Sequence, residues 1–170
     1  LTRAATIWPE LPAFLPECLV FYIAETPEAS TPWGVAWVRS AQEIPEICAR
    51  LSLEALSPLG LPAFSTLVEG VLLWLTQPTR DFRAEAKEVL KENRWVSLTQ
   101  NLFGVYPRWL VEAEAGVFVK FVVETYGPQR LRAFWQATEE GASPFRAAET
   151  CLGTSFSTLE EELVAWIKQP

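Results

Sequence analysis

The chain has 170 residues and no histidine, with 49% hydrophobic and 21% charged side chains and a formal net charge of -7. This is a globular composition, long enough for a substantial core. No Lys/Arg cluster stands out along it, which excludes the basic stripe that neutralises nucleic-acid phosphates or docks on anionic lipid, and without an imidazole Ser-His-Asp and Cys-His catalysis are excluded too.

Residues 1–39 are rich in proline (Pro9, Pro12, Pro16, Pro27, Pro32), which fixes φ, removes a backbone donor and keeps regular elements short. Within them, Cys18-Leu19-Val20-Phe21-Tyr22-Ile23 and Gly34-Val35-Ala36-Trp37-Val38 are β-branched and aromatic runs, predicting about two short strands. From residue 40 to 170 the pattern is helical. Ser40-x-x-Glu43 has the form of a capping box, and Ile44, Ile47, Cys48 and Leu51 follow at helical spacing. Pro45 either lies inside that helix or opens a later one.

After Ser57-Pro58-Leu59-Gly60, an apolar helix is predicted from Pro62 to about Leu75, buried nearly all round. Thr79 is the expected N-cap of a helix over 80–93 that turns Phe82, Ala86, Val89 and Leu90 inward. One short helix is expected within 95–107. A long helix follows over about 108–126, stopped by Gly127-Pro128, and the next runs to about Glu139. Ser143-Pro144 opens another, ended by Gly153, and Ser157-x-x-Glu160 suggests a capping box for a last helix with Leu159, Leu163, Trp166 and Ile167 inward. The expectation is a single domain over 1–170, mainly α with a small β element (α+β), built on a bundle of about six to seven helices. The eight Trp are spread along the chain. Trp74, Trp135 and Trp166 lie at core spacing, while Trp33 and Trp95 stand beside turn residues and are expected to be the exposed ones.

Apolar runs such as Val71-Leu72-Leu73-Trp74-Leu75 fall far short of the roughly 20 residues that span a bilayer, so no direct membrane insertion is expected. Cys18, Cys48 and Cys151 form no C-x-x-C pair and are expected as small buried hydrophobes, with a Cys18–Cys48 disulfide left open. No phosphate-binding glycine motif is present. The sequence starts at Leu1 and has no Met, from which removal of an upstream segment is expected.

Three stretches, spread over about residues 34–170, resemble the gluzincin metallopeptidases and in particular the peptidase MA-like families. Gln42-Glu43-Ile44-Pro45-Glu46 stands at the place of H-E-x-x-H. Leu61-Pro62-Ala63-Phe64 leading into Val68-Glu69-Gly70-Val71 is similar to the helix that supplies the third zinc ligand. Ala115 to Gly127, with Leu152 to Glu160 downstream, is similar to the C-terminal helical half. In that family two histidines at i and i+4 share a helix face and bind zinc, and the glutamate between them activates the metal-bound water. Here the histidine positions are Gln42 and Glu46, the general-base position is Glu43, and the third-ligand position is Glu69. An amide and two carboxylates make a hard-oxygen set unlike a zinc site.

The resemblance therefore implies a degenerate site and a non-catalytic pseudopeptidase that binds or scaffolds, with no cofactor, no nucleic acid, and a protein or peptide partner of unknown identity. Together with the start at Leu1, it favours a secreted or cell-envelope location. It also implies that Gln42, Glu46 and Glu69 converge beside a cleft. The residues alone leave other readings open. Glu43 and Glu46 suit the first turn of a helix, where negative charge is favourable. Glu69, in an apolar helix, is a relic of a site, a partner of a cation such as Arg50, or a residue on the helix's one wet side. An unrelated helical interaction module and a carboxylate-based hydrolase are the alternatives.

Overall fold

The computed structural model describes residues 20–23, 35–38, 44–57 and 59–170. Seven α-helices dominate them: α1 (Ile44–Leu56), α2 (Ser65–Thr76), α3 (Phe82–Lys91), α4 (Arg108–Tyr126), α5 (Pro128–Glu139), α6 (Pro144–Ala147) and α7 (Phe156–Lys168). A π-helical turn, Ala148–Leu152, continues α6. The chain is mainly helical, as its periodicity implies. Two strands, β1 (Val20–Ile23) and β2 (Val35–Val38), pair in parallel with Val20 opposite Val35 and Ile23 opposite Val38. Cys18, Trp33 and the Ser40 cap lie outside the described residues.

The core is organised around α4, which packs on α2, α3, α5 and α7. Eleven of its residues are buried, from Leu110 to Val122. Four rings meet at the centre. Phe64 lies 6.0 Å from Phe118, 6.2 Å from Phe134 and 6.1 Å from Phe156 between centroids, in tilted and edge-on arrangements that suit the ring quadrupole. Trp74 and Trp135 are buried as their spacing implies, and the Trp135 Nε1 proton is satisfied by Ser57 Oγ at 3.1 Å. Trp166 is only half-buried, against Phe121 on one side and the Arg83 guanidinium, 4.6 Å from its ring, on the other.

Several helix starts differ from expectation, for local reasons. Ser65, not Pro62, begins α2, after a turn in which Pro62 and Phe64 are buried. Asp81, not Thr79, caps α3, accepting from Ala84 N at 3.1 Å, and the carboxylate adds favourable charge at the helix N-terminus. Ser155, not Ser157, caps α7, accepting from Thr158 N at 3.1 Å. Pro45 falls in the first turn of α1, where its missing N–H costs no hydrogen bond. The break between α4 and α5 lies at Gly127-Pro128 as read, but Gly127 is extended at positive φ (φ 90°, ψ 159°) and not left-handed helical. Ser143 caps α6, and Gly153 ends the π turn in the left-handed conformation.

Residues 94–107 form no helix; they run through successive turns between α3 and α4. Gly104 sits at φ 63°, and carboxylates and hydroxyls from neighbouring helices take up backbone groups that a helix would pair internally.

Candidate functional site

Helices α1 and α2 pack side by side, and at the end where α4 begins they leave a groove of about 340 Å³. Arg50 enters from α1. Ser65 and Glu69 line it from α2, Phe103, Gly104 and Tyr106 from the 94–107 segment, and Arg108, Val111 and Glu112 from the first turns of α4. Glu69 is half-buried here, on the single side of α2 that the core does not cover.

Glu112 anchors the far wall. It accepts from Arg108 Nε at 2.6 Å and from Arg80 Nη1 at 3.1 Å. Burial pushes its pKa up, but the two guanidinium hydrogen bonds outweigh that and hold it below the ordinary carboxylate value. Arg80 also forms a two-pronged pair with Glu85 at 2.8–3.1 Å. Glu112 is thus a fixed anion.

The groove wall formed by residues 94–107 is fastened from behind. Glu114, in mid-α4, is fully buried. Its carboxylate accepts from Val96 N at 2.8 Å and from Asn101 Nδ2 at 2.6 Å. Glu160 of α7 accepts from Leu98 N at 2.7 Å. From α2, the Thr66 hydroxyl donates to Asn101 O and Ser65 Oγ to Leu102 O at 3.2 Å. Asn101 is also fully buried, and its Oδ1 has no hydrogen-bond partner. Trp95 leans on the core beside Glu160, although no acceptor lies in good geometry to its buried ring nitrogen. Burial pushes Glu114 up to about 7; its two hydrogen bonds work against that shift and the nearby Glu160 charge adds to it. Glu160 is likewise raised by burial. At its outer edge the segment presents Phe103 and Val105, 70% and 77% exposed.

The four positions singled out in the sequence fare differently. Glu69 lines the groove. Glu46 stands in the first turn of α1, one turn before Arg50, but nothing beyond its place on the helix is described. Gln42 and Glu43 lie outside the described residues, so the convergence of Gln42, Glu46 and Glu69 is not decided. Among the described residues no group of three His, Cys, Asp or Glu side chains is placed to hold a metal ion. No described helix is long and apolar enough to cross a membrane. Trp95 is half-buried, and among the described residues the exposed indole is Trp109, stacked 4.0 Å beneath the Arg94 guanidinium.

Sequence reasoning passed over Glu114, Glu160 and Asn101 as functional candidates. A signal for Glu114 existed: it stands one turn from Leu110 and one turn from Phe118, on a face that is otherwise apolar. No family model, curated protein or solved structure matches the chain.

Proposed function

We propose that this chain is a gluzincin-like domain without a zinc site, which holds an extended peptide in the groove between α1 and α2 and does not cut it. The observation that carries the reading is the position of Glu69. It opens into a groove that is also lined by Arg50 of α1, one turn after Glu46, the last residue of the H-E-x-x-H-like stretch. The donor set does not fit zinc. It lacks imidazole, and the Arg50 guanidinium lines the groove that a cation would have to share with Glu69. What remains suits peptide recognition: guanidinium groups for backbone carbonyls or acidic side chains, a carboxylate for amides, and the Phe103 and Tyr106 rings for apolar contact. A hydrolase using carboxylates alone needs one that can donate a proton, and Glu112 is held ionised by two arginines.

The exposed Phe103 and Val105 favour a second reading, a helical interaction module unrelated to peptidases, in which the loop edge and not the groove meets the partner.

Selection of peptides from a random displayed library against the purified chain, followed by titration of the winners, tests both. The groove reading expects Glu69→Gln with Arg50→Ala to weaken binding about tenfold or more, a loss of about 1.4 kcal/mol. Winners that ignore both substitutions but are lost in Val105→Asp, at an exposed position outside the groove lining, establish the second reading instead. Stoichiometric zinc in chelator-free protein, lost in Glu69→Gln, would overturn the metal-free assignment.

A further inference from the structure

The groove wall at residues 94–107 is fastened by carboxylates placed where carboxylates are costly. Glu114 is fully buried in mid-helix, and its hydrogen-bond partners are a backbone amide and a side-chain amide, both uncharged. Among the described residues no cation pairs with it. From α7 comes Glu160, a second carboxylate, while Lys168, two turns further along α7, lines the surface depression that Trp95 and Glu160 share. From α2 comes the Thr66 hydroxyl, by way of Asn101, while Glu69 faces the groove. Beside α3, Arg80 is committed to Glu85 and Glu112; within it Arg83 and Lys87 reach the carbonyls at the end of α7, and Lys91 pairs with Glu88. From α5, Arg130 donates to Cys151 O. In the segment itself Arg94 pairs with Glu92 and stacks on Trp109. On α4, Arg108 and Glu112 pair with each other, and Lys120 lies 4.0 Å from Asp81.

We propose that segment 94–107 is a pH-gated wall of the groove, docked while Glu114 carries a proton and released as Glu114 ionises beside the charge on Glu160. The neutral acid suits its surroundings. A half-turn of the Asn101 amide exchanges its two ends, so that Oδ1 accepts the Glu114 proton and Nδ2 takes the place where the amide oxygen has no partner, while Val96 N continues to donate to the other carboxyl oxygen. Ionisation places two negative charges behind one segment, and the remedy is hydration, which requires the segment to lift. Lifting moves Phe103, Gly104 and Tyr106, one whole side of the groove. The physiological meaning of the gate, uptake of a peptide on one side of neutrality and its release on the other, rests on the groove reading above. The gate itself does not.

Hydrogen–deuterium exchange of the ligand-free chain tests it. The readout is protection of the Val96 and Leu98 amides, corrected for intrinsic exchange, at about pH 5.5 and about pH 8. With Glu114 titrating at about 7 when docked and at an ordinary 4.5 when released, protection falls about 30-fold between those conditions. In Glu114→Gln the fall disappears. Equal protection at both pH values, or the same fall in Glu114→Gln, overturns the proposal. Should Glu114→Gln fail to fold, carboxyl-carbon NMR of glutamate-labelled wild-type chain decides: one carboxyl titrating near 7 is expected, and ordinary titration of every glutamate overturns it. Both readouts need no ligand, so failure of peptide binding removes the groove reading alone. Flat protection in a chain that does bind peptide removes the gate alone.

Discussion

Gly70 of α2 rests directly on the carbonyl oxygen of Ala115 in α4; a β-carbon at position 70 would come within 2.3 Å of it. Backbone meets backbone at this crossing. It sets the distance between the two helices and holds Glu69, the preceding residue, at the edge of the interface. The Glu-Gly pair is therefore one unit, with the glycine fixing the helix approach and the glutamate left at the groove.

Gly70→Ala is expected to destabilise the chain by about 2–3 kcal/mol, because the atom in the way is main chain and cannot rotate aside. Gly116→Ala meets the Phe82 ring at a similar 2.3 Å, but a ring has some room to shift, so its cost should be smaller. Denaturant unfolding of both variants measures the difference. Equal stability of Gly70→Ala and the parent chain would show that the helices are not in this contact.

Glu114 also gives the stability a pH dependence. Its folded pKa, about 7, is raised above the ordinary 4.5. The folded form thus binds the proton more tightly than the unfolded form, and the contribution is fully present below about 4.5 and lost as pH rises through 7. Between about pH 5 and 8 the loss should be on the order of 2 kcal/mol. Glu114→Gln should flatten that limb of the profile, measured by urea unfolding across pH; an unchanged slope would mean the residue does not titrate in this range.

The two serines near the start of α7 separate by mutation. Ser155→Ala should cost about 1 kcal/mol, and Ser157→Ala, with an exposed side chain away from the cap, should be close to neutral. Thermal unfolding of the pair decides it. The opposite order would restore the capping box at Ser157-x-x-Glu160.

Arg80→Ala removes three partners at once: Glu85, Glu112 and Gln77. We expect a loss of about 1–2 kcal/mol near neutrality, moderated by partial solvent exposure. Glu112 is a depressed carboxylate, so its share is present above the ordinary pKa and fades as pH falls through the lowered one. The variant and the parent chain should therefore converge in acid. A constant difference at all pH values would place the effect in lost packing.

The legible parts of this fold are those governed by local chemistry. Arg108–Tyr126 and Pro128–Glu139 could be bounded from sequence because Pro107, Gly127 and Pro128 punctuate them with backbone restrictions that no tertiary contact overrides. The buried helix α2 was legible because it is apolar on nearly every side. The cap of α7 was missed because two serines, two residues apart, compete for it, and packing of Phe156 chooses between them. The short helix expected within 95–107 is absent because the conformation there is set from outside, by Glu114, Glu160, Thr66 and Ser65 on neighbouring helices. Of the candidate site, Glu69 was legible as an acid in apolar company. Its neighbours Tyr106 and Arg108 were not, because only tertiary structure brings them to it.

The placement of α4 bears on how the bundle comes apart. Four helices lean on this one rod, and two of them, α3 and α7, are further stitched together by Arg83 and Lys87 reaching the last carbonyls of α7. No described helix longer than two turns can peel away without stripping contacts from a shared partner. Melting of these helices is thus expected to be all-or-none, with circular dichroism and tryptophan emission tracing one coincident curve.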